Sequence, residues 1–213
     1  MRDLLDVLAG DPRDVAPALL GARLTAVDDE GAVTVRLSEV EAYCGQDDPG
    51  SHAFRGRTAR NASMFEAAGI VYIYFTYGMH HCVNIVTGPA GVAGGVLLRG
   101  GRIVEGIDLA RRRRPACGKD RDLARGPARL AACLGLGRDD DGRRLGQAGE
   151  RLHLRLAEAP VAPREVRAGP RVGVAGPGGD AELYPWRLWI DGDPTVSQYR
   201  PAAPRRKGGR AGG

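Results

Sequence analysis

Lysine is almost missing from this 213-residue chain: Lys119 and Lys207 are the only two, and arginine supplies the rest of the 31 basic residues. A reaction that runs through a lysine amine, as Schiff-base chemistry does, therefore has little to draw on. Cysteine is sparse as well. Cys44, Cys82, Cys117 and Cys133 lie far apart with no Cys-x-x-Cys pair, which argues against a zinc finger or an iron–sulfur cluster and fits reduced thiols. No apolar run approaches the roughly 18 residues of a membrane span. The acidic opening Met1-Arg2-Asp3-Leu4-Leu5-Asp6 has no signal-peptide pattern. These absences point to a soluble, cytoplasmic protein. Aromatic residues are only 5% of the chain, so a cluster of them carries information.

The charge that is present is unevenly placed. A net charge of +5 combines 8 Arg against 12 acidic residues in the first hundred positions with 23 basic against 14 acidic in the remainder. A basic half suggests a polyanionic partner, although a general bias toward arginine codons gives the same excess. The runs Arg111-Arg112-Arg113-Arg114 and Arg205-Arg206-Lys207 are candidates for phosphate contacts, or for plain solvated surface.

Periodicity and turn residues outline the elements. Asp11 and Pro12 open a helix that runs to Leu20. Residues 32–43 alternate, so a regular pleat places Val33, Val35, Leu37, Glu39, Glu41 and Tyr43 on one face, which begins apolar and ends in two carboxylates. Residues 45–56 read as a loop. The stretch from Ile70 to Tyr77 is apolar or aromatic on both faces, as an interior strand is, and His81 to Thr87 returns beside it. Residues 94–99 form a further short strand. A helix is predicted from Glu105 to Arg114, stopped by Pro115, and another opens at Pro127. Late strands are predicted at 152–156, 171–174 and 186–190. The Pro/Gly/Arg-rich stretch 201–213 reads as a basic, disordered tail. The expected fold class is α+β: one domain over residues 1–200, with a curved, mostly antiparallel sheet and helices packed on it.

Three segments place scarce aromatics beside charges. The first is Glu39-Val40-Glu41-Ala42-Tyr43, followed by Asp47, Asp48 and His52. A carboxylate where a strand meets a cleft is a candidate general base for activating water. An arginine-paired rim carboxylate, or a metal site drawing on Glu41, Asp48 and His52, uses the same residues. The second segment, Tyr72 to Met79, holds three of the six tyrosines. Tyr77, beside Gly78 at a hairpin tip, is placed to wedge into a base stack or to fold back over the core. The third pairs Asn84, which a structural amide would also explain, with Arg99, within reach of a carboxylate or phosphate.

In this order the segments resemble the alkyladenine (3-methyladenine) DNA glycosylase family. The motifs that carry the resemblance are Glu39-Val40-Glu41-Ala42-Tyr43, Arg60-Asn61-Ala62-Ser63-Met64-Phe65, Tyr77-Gly78-Met79-His80-His81-Cys82-Val83-Asn84 and Val96-Leu97-Leu98-Arg99. Pro170-Arg171-Val172-Gly173-Val174 and Pro185-Trp186-Arg187 complete the series, which spans about Val15 to Ser197. One departure is Ala59, where family members often carry proline.

The resemblance implies a monofunctional DNA glycosylase of base excision repair, acting on double-stranded DNA. Such an enzyme flips alkylated or deaminated purines out of the duplex and hydrolyses them away. It implies a monomer with no metal, no other cofactor and no obligate protein partner. Glu41 is then the general base and Arg99 orients it and the water. Tyr43 faces His52 and Tyr74 across the flipped base, Asn84 excludes guanine through its exocyclic amine, and Tyr77 intercalates. Glu39 takes no assigned role. The implied fold is the one shared with the C-terminal domain of formyltransferases. Two rivals remain in view: a DNA- or RNA-binding module without activity, which would have no use for Glu41, and a metal-dependent hydrolase using the acidic cluster.

Overall fold

Strand β2, Gly31–Tyr43, is the element on which the others are assembled. The structure, a computed structural model, describes residues 3–76, 78–146 and 149–202. β2 is long enough for its two halves to have different neighbours. Its first half pairs with β1 (Arg23–Asp28), and Glu39 to Glu41 pair with β8 (Arg187–Ile190). β5 (Gly95–Glu105) runs along the other edge of both halves. Beyond β5 lie β4 (His80–Val86) and β3 (Val71–Thr76); beyond β1 lies β6 (Leu152–Arg155), and β7 (Val166–Gly169) extends β8. Every one of these pairings is antiparallel. With the helices packed on it, this sheet makes the fold α+β, as expected.

One face of the sheet carries the main core. The five-residue α1 (Leu4–Leu8) and then α2 (Pro12–Leu19) precede β1. The Asp11 carboxylate caps α2 by accepting the Arg13 N–H at 2.8 Å, one of the orphan donors of a helix start. α2 buries Val15, Ala16 and Leu19, while α3 (Ile107–Arg113) and α4 (Pro127–Cys133) bury Leu109, Leu130 and Cys133 in the same cluster. Each fully buried Leu-sized side chain contributes about 1.5–3 kcal/mol, so this layer dominates the stability. The opposite face carries a smaller cluster around Met64, Phe65, Tyr72 and Val86. No helix among the described residues is long and apolar enough to cross a membrane.

Four expectations are corrected. First, β2 does not keep one pleat. Its register shifts around Ser38, with Leu37 opposite Gly101 and Glu39 opposite Gly100, and again at Arg99, with Val40 opposite Leu98. The core side chains are Val33, Val35 and Leu37 before the shift, and Val40 and Ala42 after it. A bulge inserts one residue and reverses the facing of all that follow. Glu39, Glu41 and Tyr43 thus leave the apolar face that regular alternation assigns them. Second, β3 is at the end of the sheet, not in its interior. Its open edge is met by a loop: the Val71 N–H donates to the Arg143 carbonyl and the Ile73 N–H to Asp141, both at 2.8 Å. That cover accounts for a run apolar on both faces. Third, β5 continues past Arg99 to Glu105, so α3 begins only at Ile107. Fourth, residues 171–174 form no strand. The basic run 205–207 and all but the first two residues of the predicted tail lie outside the described residues.

Candidate active site

The bulge in β2 is what brings a carboxylate to a cavity. Glu41 is buried, and it lines a hollow of about 520 Å³ whose walls come from β2, β3, β4, β5 and the loops after β2 and β7. Three groups hold it. The Val172 N–H donates to Oε1 at 2.7 Å, the Tyr43 hydroxyl donates to Oε2 at 2.8 Å, and Nη1 of Arg99 stands 3.3 Å from Oε1. A carboxylate offers about four lone-pair sites, so one remains on Oε2 for a water. The expected partnership of Arg99 with Glu41 is present in the geometry.

Glu39, on the same side of the strand, has a different environment. Its Oε1 accepts from Arg99 Nε at 2.9 Å, Arg187 Nε at 2.6 Å and Ser197 Oγ at 2.9 Å, and its Oε2 accepts the Ser197 N–H at 2.7 Å. Unlike Glu41, it does not line the hollow. Burial works to raise its pKa, but the Arg99 and Arg187 guanidinium groups outweigh it and hold the carboxyl below its ordinary value. Arg99 is thereby gripped through Nε by Glu39 and presents Nη1 to Glu41. Burial works against its charge, and the two carboxylates more than restore it.

Aromatic side chains gather at one part of the wall. Tyr43, His52, Tyr72, Tyr74 and Asn84 all line the same hollow as Glu41. His52 meets Tyr74 edge to face, with ring centroids 4.5 Å apart, and its Nδ1 lies 3.2 Å from the Tyr72 hydroxyl. Burial pushes both the Tyr43 and the Tyr74 hydroxyls well above their usual range, and at Tyr43 the Glu41 charge adds to it. Both phenols therefore stay protonated. Burial, with Arg60 nearby, also lowers His52, so its ring is neutral near pH 7. Asn84 is tied through Nδ2 to the Tyr72 carbonyl at 3.1 Å, a cross-strand bond between β4 and β3. Its Oδ1 takes no hydrogen bond among the described residues. Tyr77, the expected intercalating residue, lies outside the described residues; its neighbour Met79 is 69% exposed.

Asp48 does not join Glu41 and His52 as a ligand set, because both its oxygens are taken by Arg171 at 2.6 and 2.7 Å. Among the described residues no three His, Cys, Asp or Glu side chains converge to hold a metal ion. The Arg111 to Arg114 run is largely engaged within the protein. Arg111 pairs with Asp108 and Asp120, Arg113 with Asp28 and Glu30, and Arg114 donates to the Asp122 and Leu123 carbonyls. Sequence reasoning missed the Val172 N–H, Arg187 and Ser197. Backbone donors leave no mark in a residue string, and Arg187 stands in a motif that carried the resemblance without a role of its own.

Comparison with known proteins sets this site in context. The methylpurine-DNA glycosylase family model matches residues 6–194. A relative from Streptomyces avermitilis is 55% identical over 195 residues, covering 91% of this chain and 90% of its own length. One from Leifsonia xyli is 52% identical over 200 residues, with 92% and 91% covered, and one from Nocardia farcinica is 47% identical over 207 residues, with 94% and 93% covered. All three are named as candidate 3-methyladenine DNA glycosylases.

Proposed function

The chain belongs to the methylpurine-DNA glycosylase family, and from that premise we propose that it excises alkylated purines such as 3-methyladenine from duplex DNA, with Glu41 as the general base. The observation that carries this reading is the held carboxylate. Glu41 is fixed by a backbone N–H, a phenol and an arginine at the wall of a hollow that Tyr43, Tyr72, Tyr74 and a neutral His52 also line. Its volume of about 520 Å³ lies within the roughly 300–1,000 Å³ of small-ligand sites.

A base inside a duplex is out of reach, so it has to be rotated out at a cost of a few kcal/mol. Stacking on Tyr43, Tyr74 and His52 returns about 1–3 kcal/mol per base, and a cationic alkylated purine is drawn further to the aromatic faces. A neutral His52 does not oppose that charge. The water held by Glu41 then attacks C1′ of the deoxyribose while the bond from C1′ to the purine nitrogen breaks. The electron pair leaves with the base, which is neutral if it was cationic before, and the water's proton passes to Glu41. The products are a free base and an intact abasic site. Asn84 limits access for guanine, Tyr77 fills the space left in the stack, and deaminated purines are accepted in the same pocket.

The test incubates the full chain with duplexes that each carry one 3-methyladenine, 7-methylguanine, hypoxanthine or ethenoadenine, beside undamaged duplex. Free base and abasic sites are then measured. Release from at least one alkylated duplex and none from the undamaged one is expected. No release from any of them contradicts the reading.

A further inference from the structure

Arg171 heads the fully buried side chains by volume, and it lies behind the cavity wall instead of lining it. Its guanidinium forks onto Asp48, and it also donates to the Ala42 carbonyl at 3.0 Å and the Gly178 carbonyl at 2.8 Å. These acceptors belong to three separate segments. Ala42 is the end of β2, between Glu41 and Tyr43. Asp48 is in the loop that carries His52. Gly178 closes the loop whose Val172 N–H holds Glu41. The same guanidinium lies over the Tyr43 ring, 4.6 Å from its centroid.

The surroundings are shaped to admit it. Asp48 also accepts the backbone N–H of Gly50 at 2.8 Å. A Cβ on Gly50 would run into the Arg171 guanidinium, and one on Gly178 would run into the Gly50 backbone, so only glycine allows the two loops to close over the ion pair. A buried ion pair is weak ground for stability, since apolar replacements are often as stable. A planar fork is better suited to setting distances and directions.

We propose that Arg171, held by Asp48, is a positioning residue for base excision: it sets the Tyr43 ring and the Val172 loop against Glu41, so that base platform and general base move as one unit. The inference rests on the reading of the pocket given above. Arg171 touches neither base nor water, and it acts through Tyr43 and the loop.

A double-mutant cycle in the full chain tests it. Single-turnover excision and affinity for undamaged duplex are measured for wild type, Arg171→Lys, Tyr43→Ala and the double variant. Lysine keeps the charge but loses the fork and the flat stacking surface. Arg171→Lys is expected to melt cooperatively, to bind undamaged duplex as wild type does, and to excise about 10- to 100-fold more slowly, the scale of a misplacement near 1 Å. In the Tyr43→Ala background the same change should cost at least about threefold less, the remainder acting through the Val172 loop, because residues in one network do not add. An equal loss in both backgrounds, no loss, or a loss matched by weaker binding of undamaged duplex overturns the proposal. Should Arg171→Lys not fold, Asp48→Asn takes its place in the cycle with the same outcomes. A wild-type chain that releases no base overturns the reading of the pocket, and this inference with it, so the two failures are distinguishable.

Discussion

At the scale of single residues, Glu39 and Glu41 stand two positions apart and are separated in role by their partners. Glu39 accepts from two arginines and from both polar groups of Ser197. Replacing it with Gln leaves the buried Arg187 guanidinium without a counter-charge and Arg99 with Glu41 alone, a loss of about 3–5 kcal/mol, or about 6–20 °C in melting temperature for a chain of this size. The pH dependence has a definite sign. The folded state holds Glu39 below its ordinary value of 4.5, so on acidification the unfolded state takes up the proton first. Its contribution is full above 4.5 and is lost as the pH falls below that. Denaturant titrations across this range should show an acid-side loss in wild type that is smaller in Glu39→Gln; equal slopes contradict the assignment. Asn84 has a functional test of its own. Its Nδ2 is fixed by the Tyr72 carbonyl, which holds the amide in one orientation at the cavity wall. Asn84→Ser should admit guanine-derived bases, read as release of normal or mismatched guanine. A variant that only melts earlier places the guanine barrier elsewhere.

At the scale of elements, the hairpin of β3 and β4 both lines the pocket and bears the sequence-predicted wedge. Tyr77→Ala should weaken base extrusion by about 1–3 kcal/mol, or roughly 5- to 150-fold, with a smaller loss on lesions already unpaired. Single-turnover excision from paired and mismatched lesion duplexes measures this; equal rates for variant and wild type on the paired lesion assign Tyr77 to core filling. Elements were legible where local signals are strong. Asp11-Pro12 marked α2, Pro127 marked α4, and the tyrosine-rich run marked β3. The bulge at Ser38 was not legible, because a bulge is a property of two paired strands and β5 must shift at Arg99 to match it. The site was therefore legible in its residues and wrong in its facing: Glu41, Tyr43, His52, Tyr74, Asn84 and Arg99 do assemble, on the side of β2 opposite to the one alternation suggested. Short elements such as α1 and β7 carry too few positions for any period to show. Asp48 and Arg171 sit 123 residues apart, and nothing in a single sequence signals such a pair.

At the scale of the whole molecule, the distribution of charge bears on mechanism. Of the two lysines, Lys119 lies exposed after α3 and does not line the cavity, and Lys207 lies outside the described residues. A Schiff base at C1′ needs an amine, and among the described residues no lysine lines the hollow beside Glu41. Borohydride should therefore trap no covalent adduct with lesion DNA, and the abasic product should stay uncleaved; a trapped adduct contradicts the water-based route. The hydrolysis proposed at the cavity to which the β2 bulge turns Glu41 rests on that one carboxylate. Its most direct test compares wild type and Glu41→Gln for single-turnover excision of an alkylated purine and for affinity toward the same duplex. Gln keeps the shape and removes the basicity, so excision should fall by about 10²–10⁴-fold or more while affinity stays within about threefold. A Glu41→Gln protein that still excises at nearly the wild-type rate, or that loses affinity in step with rate, contradicts the account.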